Sequence, residues 1–277
     1  MGDYSHIHVD PITPALGAEI RDIDLARLSE AELAEIRNAF SEYSVLVFRD
    51  QTLTVDQHKA FGRSFGPLHI HPGKAHLGLP GDPEIFEIHA TAASKHANGE
   101  IWHSDLSCEV SPPLGSMLYL RSGPAVGGDT LFCDMYAAYE SLSDPMKQFL
   151  RGLHAFHDGR KDLAGYDIRL RDDQIYPSAT HPVIAVHPDS SRPLLFVNPS
   201  FTVRIEELTA SESASVLDHL YRHYAQQPRF HCRVRQTPGT LVFWDNRSAQ
   251  HHAVWDYFPS ERCGDRVTIA GVPLQAA

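Results

Sequence analysis

Two side chains that could share a metal ion lie close together in the chain, at His103 and Asp105 of the segment Trp102-His103-Ser104-Asp105. In an extended strand, residues i and i+2 point to the same face, so the imidazole and the carboxylate would stand side by side. Two histidines and one carboxylate form the facial triad that suits non-haem Fe(II) and leaves positions open for substrate and oxygen. With 18 histidines in the chain, however, an H-x-D pair could also be a chance feature of a solvated strand.

A third ligand could come from the other end of the chain, where His251 and His252 follow the strand pattern that ends at Phe243. Adjacent residues of a strand point to opposite faces, so at most one of these histidines can join His103 and Asp105. The residue pattern alone does not decide between them.

Two arginines further along the chain could bind an anion. Arg262 and Arg266 are four residues apart, and residues separated by an even number can share one face of a strand. A buried guanidinium is costly without an anion, so the pair suggests a carboxylate, sulfonate or sulfate ligand held by bidentate hydrogen bonds. The alternative is that both arginines are surface residues of a strand.

Histidines also cluster between residues 66 and 101, a segment with several glycines and prolines that we interpret as a loop-rich entrance. His69, His71 and His76 lie there together with Lys74. The cluster could bind a second metal ion, but no carboxylate stands at ligand spacing. A polar loop surface is therefore the simpler interpretation.

Composition argues against several classes of protein. The formal net charge of −11 argues against a nucleic-acid-binding protein, which normally has a basic face. No apolar run approaches the roughly 20 residues that span a bilayer, and the first residues show no secretory signal. The four cysteines are scattered without C-x-x-C spacing, so we expect reduced thiols in a cytoplasmic protein.

Periodicity and capping residues predict the elements that must position these side chains. Ser29 with Glu32, and Thr209 with Glu212, fit capping boxes at the start of helices. We predict helices from Ser29, over 54–65, over 135–152 with a second start at 143, and over 209–224. Short strands are predicted at 6–24 (two strands), 44–48, 101–106, 115–121, 127–132, 183–187, 194–197, 230–236, 239–244 and 266–272. This spacing favours a sandwich or jelly roll, with residues 157–180 as an irregular insertion or lid.

Five motifs resemble those of the TauD/TfdA family of taurine-dioxygenase-like Fe(II)/2-oxoglutarate-dependent oxygenases. They are W-H-S-D at 102–105, P-P-L-G-S at 112–116, G-G-D-T at 127–130, F-V-N-P-S-F-T at 196–202 and W-D-N-R-S-A-Q-H at 244–251. They occur in the family's order and spacing across most of the chain. The resemblance implies one domain over residues 1–277, mainly β with helices (α+β), with a double-stranded β-helix (jelly-roll) core, flanking helices and an inserted lid.

The resemblance also implies roles for single residues. His103, Asp105 and His251 resemble the iron ligands at the catalytic centre, and His251 is favoured over its neighbour because the ligand follows W-D-N-R-x-x-x. Arg262 resembles the arginine that pairs with the distal carboxylate of 2-oxoglutarate. Thr130 resembles the hydroxyl that assists it.

The implied substrate residues are less uniform. Arg266 resembles the residue that receives the anionic end of the substrate, and His71 resembles a pocket histidine. Lys74 stands where the taurine enzymes have a tyrosine, Gly99 where they have an asparagine, and Gly159 where they have a phenylalanine. We expect the glycines to enlarge the pocket and the lysine to add a cation near its mouth. This combination favours a bulkier or more anionic substrate than taurine.

The implied activity uses Fe(II), 2-oxoglutarate and O2 to hydroxylate a C–H bond of a small anionic substrate, such as a sulfonate or sulfate ester, and yields succinate and CO2. The alternative is a hydroxylase or desaturase of an amino-acid-like or aryloxy carboxylic acid on the same iron site. A non-catalytic jelly-roll binding module leaves the ordered motifs unexplained. We expect no nucleic-acid or membrane partner, and by analogy a homo-oligomer, dimer or tetramer, is possible.

Overall fold

A computed structural model of the protein describes residues 4–77, 79–165, 170–171 and 174–277. Its strands are β1 His8–Pro11, β2 Ala18–Arg21, β3 Val45–Phe48, β4 Phe86–Ala90, β5 Gly115–Ser122, β6 Thr130–Asp134, β7 His154–Asp158, β8 Ser178–Pro182, β9 Ile184–Val186, β10 Pro193–Leu195, β11 Thr202–Ile205, β12 His231–Val234, β13 Leu241–Asp245, β14 Ala249–Ala253, β15 Arg262–Ile269 and β16 Gln275–Ala276. Its helices are α1 Glu30–Tyr43, α2 Val55–Arg63, α3 Pro72–Leu77, α4 Met135–Glu140, α5 Asp144–Leu150, α6 Gly159–Gly165 and α7 Ala210–Ala225, with a 3-10 helix at Pro228–Phe230.

The strands form one large sheet and three small ones. The large sheet has the order β1-β2-β3-β13-β5-β15-β4, and the small sheets are β12-β6-β14, β11-β7-β8 and β10-β9-β16. All neighbouring strands of the large sheet are antiparallel except β2 and β3. Strands distant in the sequence are therefore neighbours in space, which lets both ends of the chain contribute to one site.

Strand β13 shows how the layers are built. Leu241 and Phe243 pack into the cluster formed with helices α1 and α2, whereas Val242 and Trp244 pack into the cluster shared with β6, β12 and β14. Successive side chains of a strand point to opposite faces, so a continuous apolar run fits a strand that is buried on both sides. The large sheet is thus covered by helices on one face and by the β12-β6-β14 sheet on the other.

Helix α1 begins where the sequence predicts. The Ser29 hydroxyl accepts a hydrogen bond from the Glu32 N–H, and the Glu32 carboxylate accepts one from the Ser29 N–H, which completes the capping box. The helix buries Leu33, Ile36 and Phe40, the residues predicted from their spacing. Phe40 stacks on Phe243 of β13 with ring centroids 3.8 Å apart and so fixes the helix against the sheet.

The predicted strand at residues 101–106 is wrong. Within this segment, His103 forms an isolated antiparallel bridge with His251, and residues 105–108 form a turn in which Leu106 has a φ of 50°. Beyond that bridge to β14, a side chain holds the segment: the Ser104 hydroxyl donates to the Asn246 carbonyl.

Two segments that we interpreted as irregular contain regular structure. The predicted loop-rich entrance includes α3 and strand β4, which pairs with β15 at the edge of the large sheet. The predicted insertion at 157–180 includes the end of β7, helix α6 and the start of β8. Residues 166–169 and 172–173 of the expected lid lie outside the described residues. Among the described residues, no helix is both long and apolar enough to cross a membrane.

Besides the two clusters on either side of β13, a third core cluster lies under helix α7 and can be tested by mutation. Leu220 is fully buried there among residues of α4, β9 and β10. We expect Leu220→Ala to lower the free energy of unfolding by about 2–5 kcal/mol, because the change removes buried methyl groups and leaves a cavity. Urea denaturation measures this loss. The exposed neighbour His219 is the control, and His219→Ala is expected to change stability by no more than about 0.5 kcal/mol. Equal losses for the two variants would contradict the assigned burial.

Candidate active site

His103 and His251 face each other across the antiparallel bridge. The His103 N–H donates to the His251 carbonyl at 3.0 Å, and the His251 N–H donates to the His103 carbonyl at 2.8 Å. Their ring centroids are 4.0 Å apart. Strand β14, which pairs with β6, holds His251 in place. The bridge, and not a continuous strand, brings the two imidazoles together.

Asp105 completes a cluster with these histidines. Its Oδ1 lies 3.6 Å from His103 Nε2 and 3.9 Å from His251 Nε2, and one ligand atom from each residue lies within 4.8 Å of the others. The Nδ1 of His103 is 2.7 Å from the Ile101 carbonyl, so this nitrogen donates there and Nε2 is the nitrogen that faces Asp105. Two imidazole nitrogens and one carboxylate oxygen fit the donor set that suits Fe(II).

The neighbouring histidine points elsewhere. His252 packs against Trp102 with ring centroids 5.5 Å apart, and it does not line the cavity described below. His251 instead packs against Trp244 and Phe132, at centroid distances of 4.7 and 5.9 Å. The residue pattern left open which of the two histidines joins His103 and Asp105. The geometry identifies His251.

Hydrogen bonds hold Asp105 from several sides. Ser116 of β5 donates to Oδ2 at 2.7 Å, and the Asp105 N–H donates to Asn246 Oδ1 at 3.2 Å. Asn246 in turn accepts from the Trp244 indole at 2.9 Å and donates to Ser116 at 3.0 Å. Sequence reasoning gave no role to Ser116 or Asn246, although both lie inside the quoted motifs.

Arg266 forms an ion pair with the Asp105 carboxylate. Its guanidinium donates to Asp105 Oδ1 at 2.6 Å, and both side chains are buried. Burial alone would raise the pKa of Asp105, but Arg266 and the neighbouring imidazoles hold that pKa well below its usual value. Burial, reinforced by His103, lowers the pKa of His251. The site therefore contains a paired carboxylate and guanidinium beside a neutral His251.

Arg262 forms a separate polar group with Thr130. Gln236 joins them: its amide donates to Thr130 Oγ1 at 3.1 Å, and its carbonyl accepts from the Arg262 guanidinium. Burial lowers the pKa of Arg262. Within the described residues, the buried Nε atoms of both Arg262 and Arg266 have no hydrogen-bond partner. Buried guanidinium groups with spare donors are suited to anionic ligands. No signal in the sequence indicated Gln236.

The entrance contributes His71 and Lys74. Burial, followed by the Arg266 charge, lowers the pKa of His71 to about 3, so this residue is neutral. Its Nδ1 accepts from the Gly73 N–H at 2.9 Å, which leaves Nε2–H as the donor. The Lys74 ammonium donates to the Pro80 carbonyl. Of the other clustered histidines, His69 lies 2.7 Å from Glu109, and the His76 side chain lies outside the described part of the chain.

One cavity of about 430 Å³ brings the predicted residues together. All eight of them line it: His71, Lys74, His103, Asp105, Thr130, His251, Arg262 and Arg266. Phe86, Asp162, Tyr176 and Gln236 also line it and were not singled out from the sequence. The cavity therefore combines a potential metal site, two buried guanidinium groups and an aromatic and apolar wall.

The structure corrects the expectation that two glycines enlarge this cavity. A Cβ atom on Gly159 would lie 2.4 Å from Cδ1 of Tyr176, so the Tyr176 ring already occupies that space. A Cβ on Gly99, which has a φ of +87°, would lie 2.9 Å from the His103 ring. In both places a neighbouring side chain fills the volume beside the glycine.

The sequence was also compared with known proteins. The profile of the family described as taurine catabolism dioxygenase TauD, TfdA family, matches residues 8–268. The chain belongs to the TauD/TfdA family. It is an Fe(II)/2-oxoglutarate-dependent dioxygenase, and the cofactors predicted from the resemblance are confirmed.

Individual relatives support the assignment to the TauD/TfdA family. The alpha-ketoglutarate-dependent sulfonate dioxygenase of Saccharomyces cerevisiae is 34% identical, over 96% of this chain and 67% of that protein. The alkylsulfatase of Acinetobacter baylyi is 31% identical, over 94% and 84%. The crystal structure of a taurine dioxygenase from Burkholderia xenovorans has a TM-score of 0.83 at 33% identity, over 98% of this chain and 93% of that one. The predicted α+β fold with a jelly-roll core is confirmed.

The Ser116 hydroxyl provides a test of how Asp105 is held. We expect Ser116→Ala to weaken Fe(II) binding about 10–100-fold, because partners that orient a ligating carboxylate typically contribute this much to metal affinity. Anaerobic metal titration measures the effect. Ser122→Ala on the same strand β5, at an exposed position, is the matched control. Unchanged affinity in Ser116→Ala would show that this hydrogen bond does not support the metal site.

Proposed function

We propose that this dioxygenase hydroxylates a small sulfonate or alkyl sulfate at the carbon next to the sulfonate group or the ester oxygen. The observation that carries the proposal is one cavity that holds the His103–Asp105–His251 cluster and two buried arginines with spare donors. Relatives that act on sulfonates and alkyl sulfates support the substrate class.

In this proposal, His103, Asp105 and His251 hold Fe(II). When bound, Fe(II) with 2-oxoglutarate supplies the activation of O2, with conversion of 2-oxoglutarate to succinate and CO2. The protein's own contribution is to orient the ligands and to exclude water from the site. The buried aromatic rings of Trp244 and Phe132 against His251 serve both purposes.

Arg262, supported by Gln236 and Thr130, binds the distal carboxylate of 2-oxoglutarate. A guanidinium can hold a carboxylate by two parallel hydrogen bonds, and burial strengthens this interaction by excluding water. Arg262 is buried, so water does not weaken such an interaction. Its Nε has no partner among the described residues and is available to donate to the carboxylate. The Gln236 carbonyl fixes the other side of the guanidinium.

Arg266 and His71 receive the anionic end of the primary substrate, and Lys74 adds a cation nearer the mouth. His71 and Arg266 both pack on Phe86: the centroid of the His71 ring lies 4.1 Å from that of the Phe86 ring, and the Arg266 guanidinium carbon lies 4.9 Å from it.

Hydroxylation at a carbon that bears sulfonate gives an unstable product. Loss of its hydroxyl proton forms the C=O bond of an aldehyde as the C–S bond breaks and sulfite leaves with the electron pair.

Three wider properties belong to the same proposal. One domain over residues 1–277 is supported by strand β13, which contributes to two of the core clusters. A cytoplasmic location is supported by four free cysteines. The predicted dimer or tetramer stays a prediction.

The first experiment is the visible spectrum of the anaerobic protein after addition of Fe(II) and then 2-oxoglutarate. We expect a charge-transfer band in the wild type and in His252→Ala, and no band in His251→Ala. The two variants remove adjacent imidazoles, so loss of the band in only one of them identifies the ligand. A band that persists in folded His251→Ala would contradict the assigned metal centre.

Tyr176 generates a prediction about substrate size. Its ring lies against Gly159 and forms part of the cavity wall, so we expect Tyr176→Ala to open this end of the cavity. For an alkanesulfonate two methylenes longer than taurine, the ratio of its kcat/KM to that of taurine is expected to rise about tenfold, since each buried methylene adds about 0.8 kcal/mol.

Steady-state assays with taurine, longer sulfonates, alkyl sulfates and aryloxy acids measure this ratio. Tyr176→Phe keeps the ring and is the control. An unchanged ratio in Tyr176→Ala would remove Tyr176 from the substrate wall. A clear wild-type preference for taurine would contradict the expectation from the sequence that a bulkier or more anionic substrate than taurine is favoured.

A further inference from the structure

A second group of side chains with metal-ligand chemistry lies at the edge of the large sheet. Strand β4 pairs with β15 in antiparallel register, so that His89 stands opposite Cys263 and Glu87 opposite Asp265. Residues i and i+2 of a strand point to the same face. The four side chains therefore occupy the corners of one patch that spans both strands.

This patch lies on the face of β15 opposite to the two cavity arginines. Cys263 and Asp265 alternate along the strand with Arg262 and Arg266, and successive side chains of a strand point to opposite faces. Of the patch, Glu87 alone reaches the border of the catalytic cavity. A ligand bound to the patch would therefore lie outside the site described above.

Three of the side chains come close enough to share one ion. A carboxylate oxygen of Glu87, a ring nitrogen of His89 and the Cys263 sulfur lie within 4.8 Å of one another. Glu87 Oε1 is 3.2 Å from Cys263 Sγ. Thiolate, imidazole and carboxylate are the ligands of Zn²⁺, and in a tetrahedral site their ligand atoms lie roughly 3–4 Å apart. Small side-chain rotations would complete such a site.

A cationic side chain already lies against these groups. The Arg121 guanidinium of β5 donates to Glu87 Oε1 at 2.6 Å, to Cys263 Sγ at 2.9 Å and to Asp265 Oδ2 at 3.0 Å. The patch therefore attracts positive charge. The Arg121 side chain is 45% exposed and that of Glu87 is 52% exposed, and ion pairs with this exposure contribute little to stability. A divalent ion can displace the guanidinium into solvent at little cost.

We propose that Glu87, His89 and Cys263 bind a zinc ion that clamps strand β4 onto β15. The Cys263 thiol gives up its proton when the ion binds. Thiolate and imidazole ligands favour Zn²⁺ over Mg²⁺ and Ca²⁺, which prefer oxygen ligands. This inference is independent of the substrate proposed above.

The position of β4 gives the clamp a structural role. It is the last strand of the large sheet, where pairing on one side leaves it less firmly held than the inner strands. It also carries Phe86, on which His71 and Arg266 pack. A zinc ion on the opposite face of these strands would hold this part of the cavity wall in place without taking part in the oxidation.

Cobalt distinguishes this site from the catalytic one. A thiolate bound to Co²⁺ gives an intense charge-transfer band in the near ultraviolet, and the His103–Asp105–His251 cluster contains no sulfur. Reduced protein freed of metal by chelation is titrated anaerobically with CoCl2. We expect the band in the wild type, and in Cys263→Ser no band and one fewer cobalt ion per chain. Added Zn²⁺ is expected to remove the band by replacing Co²⁺, whereas excess Mg²⁺ leaves it unchanged.

Further variants test the other members of the patch. His89→Ala and Glu87→Gln are each expected to weaken cobalt binding at this site at least about tenfold, because even partners outside the ligand shell contribute about 10–100-fold. Arg121→Gln is expected to strengthen it about three- to fivefold by removing the competing cation. Arg192→Gln is the matched control, since Arg192 is 50% exposed and pairs with Glu140 elsewhere, and it is expected to leave the affinity unchanged.

Two measurements on the wild type keep the proposal testable if Cys263→Ser does not fold. Cys263 is partly exposed and the other three cysteines are buried, so iodoacetamide is expected to label Cys263 first. Bound Zn²⁺ is expected to slow this labelling at least tenfold. Hydrogen exchange tests the clamp, and Zn²⁺ is expected to slow the exchange of the β4 amides.

Several results would overturn the site. These are the absence of the cobalt band in the reduced wild type, its persistence in Cys263→Ser, and its insensitivity to both His89→Ala and Glu87→Gln. Labelling of Cys263 at the same rate with and without Zn²⁺ would do so as well. Unchanged exchange of the β4 amides would overturn the clamp. All of these results would leave the dioxygenase assignment intact, because it depends on the separate His103–Asp105–His251 cluster.

Discussion

The carboxylate of Asp105 is the group on which the rest of the site depends. Its Oδ1 accepts from Arg266 and faces both imidazoles of the cluster, while its Oδ2 accepts from Ser116. An exposed ion pair of this kind would contribute about 0–1 kcal/mol and would not fix a geometry. Here the carboxylate is 3% exposed, so each partner must be present and correctly placed.

This requirement explains why the site lies between two sheets. Ser116 and Arg266 come from adjacent strands of the large sheet, β5 and β15, whereas His251 comes from β14 of the opposing small sheet. Each strand is fixed by its neighbours on both sides or by packing against the facing layer. Side chains on such elements are held more precisely than side chains on loops. The bridge between His103 and His251 then attaches the one irregular segment to this frame.

Local features of the fold were predictable from the sequence, and long-range ones were not. The Ser29 capping box and the apolar run of β13 depend on residues within a few positions of one another, and both predictions hold. The strand predicted around His103 fails because, apart from one bridge, the segment is held by hydrogen bonds that involve the Ser104 and Asn246 side chains, and no local pattern reveals these. Gln236, which links Arg262 to Thr130, and Tyr176, which fills the space at Gly159, likewise act over distances in sequence that no spacing encodes.

The pairing of Arg266 with Asp105 also ties the metal site to the substrate site. The same carboxylate oxygen faces Arg266 and both imidazoles, so a cation bound there competes with the guanidinium for its charge. Arg266 would then need a second anion, because its Nε has no partner among the described residues and a buried unpaired guanidinium is unfavourable. With a metal ion bound to Asp105, the charge balance of the cavity would favour an anion beside Arg266.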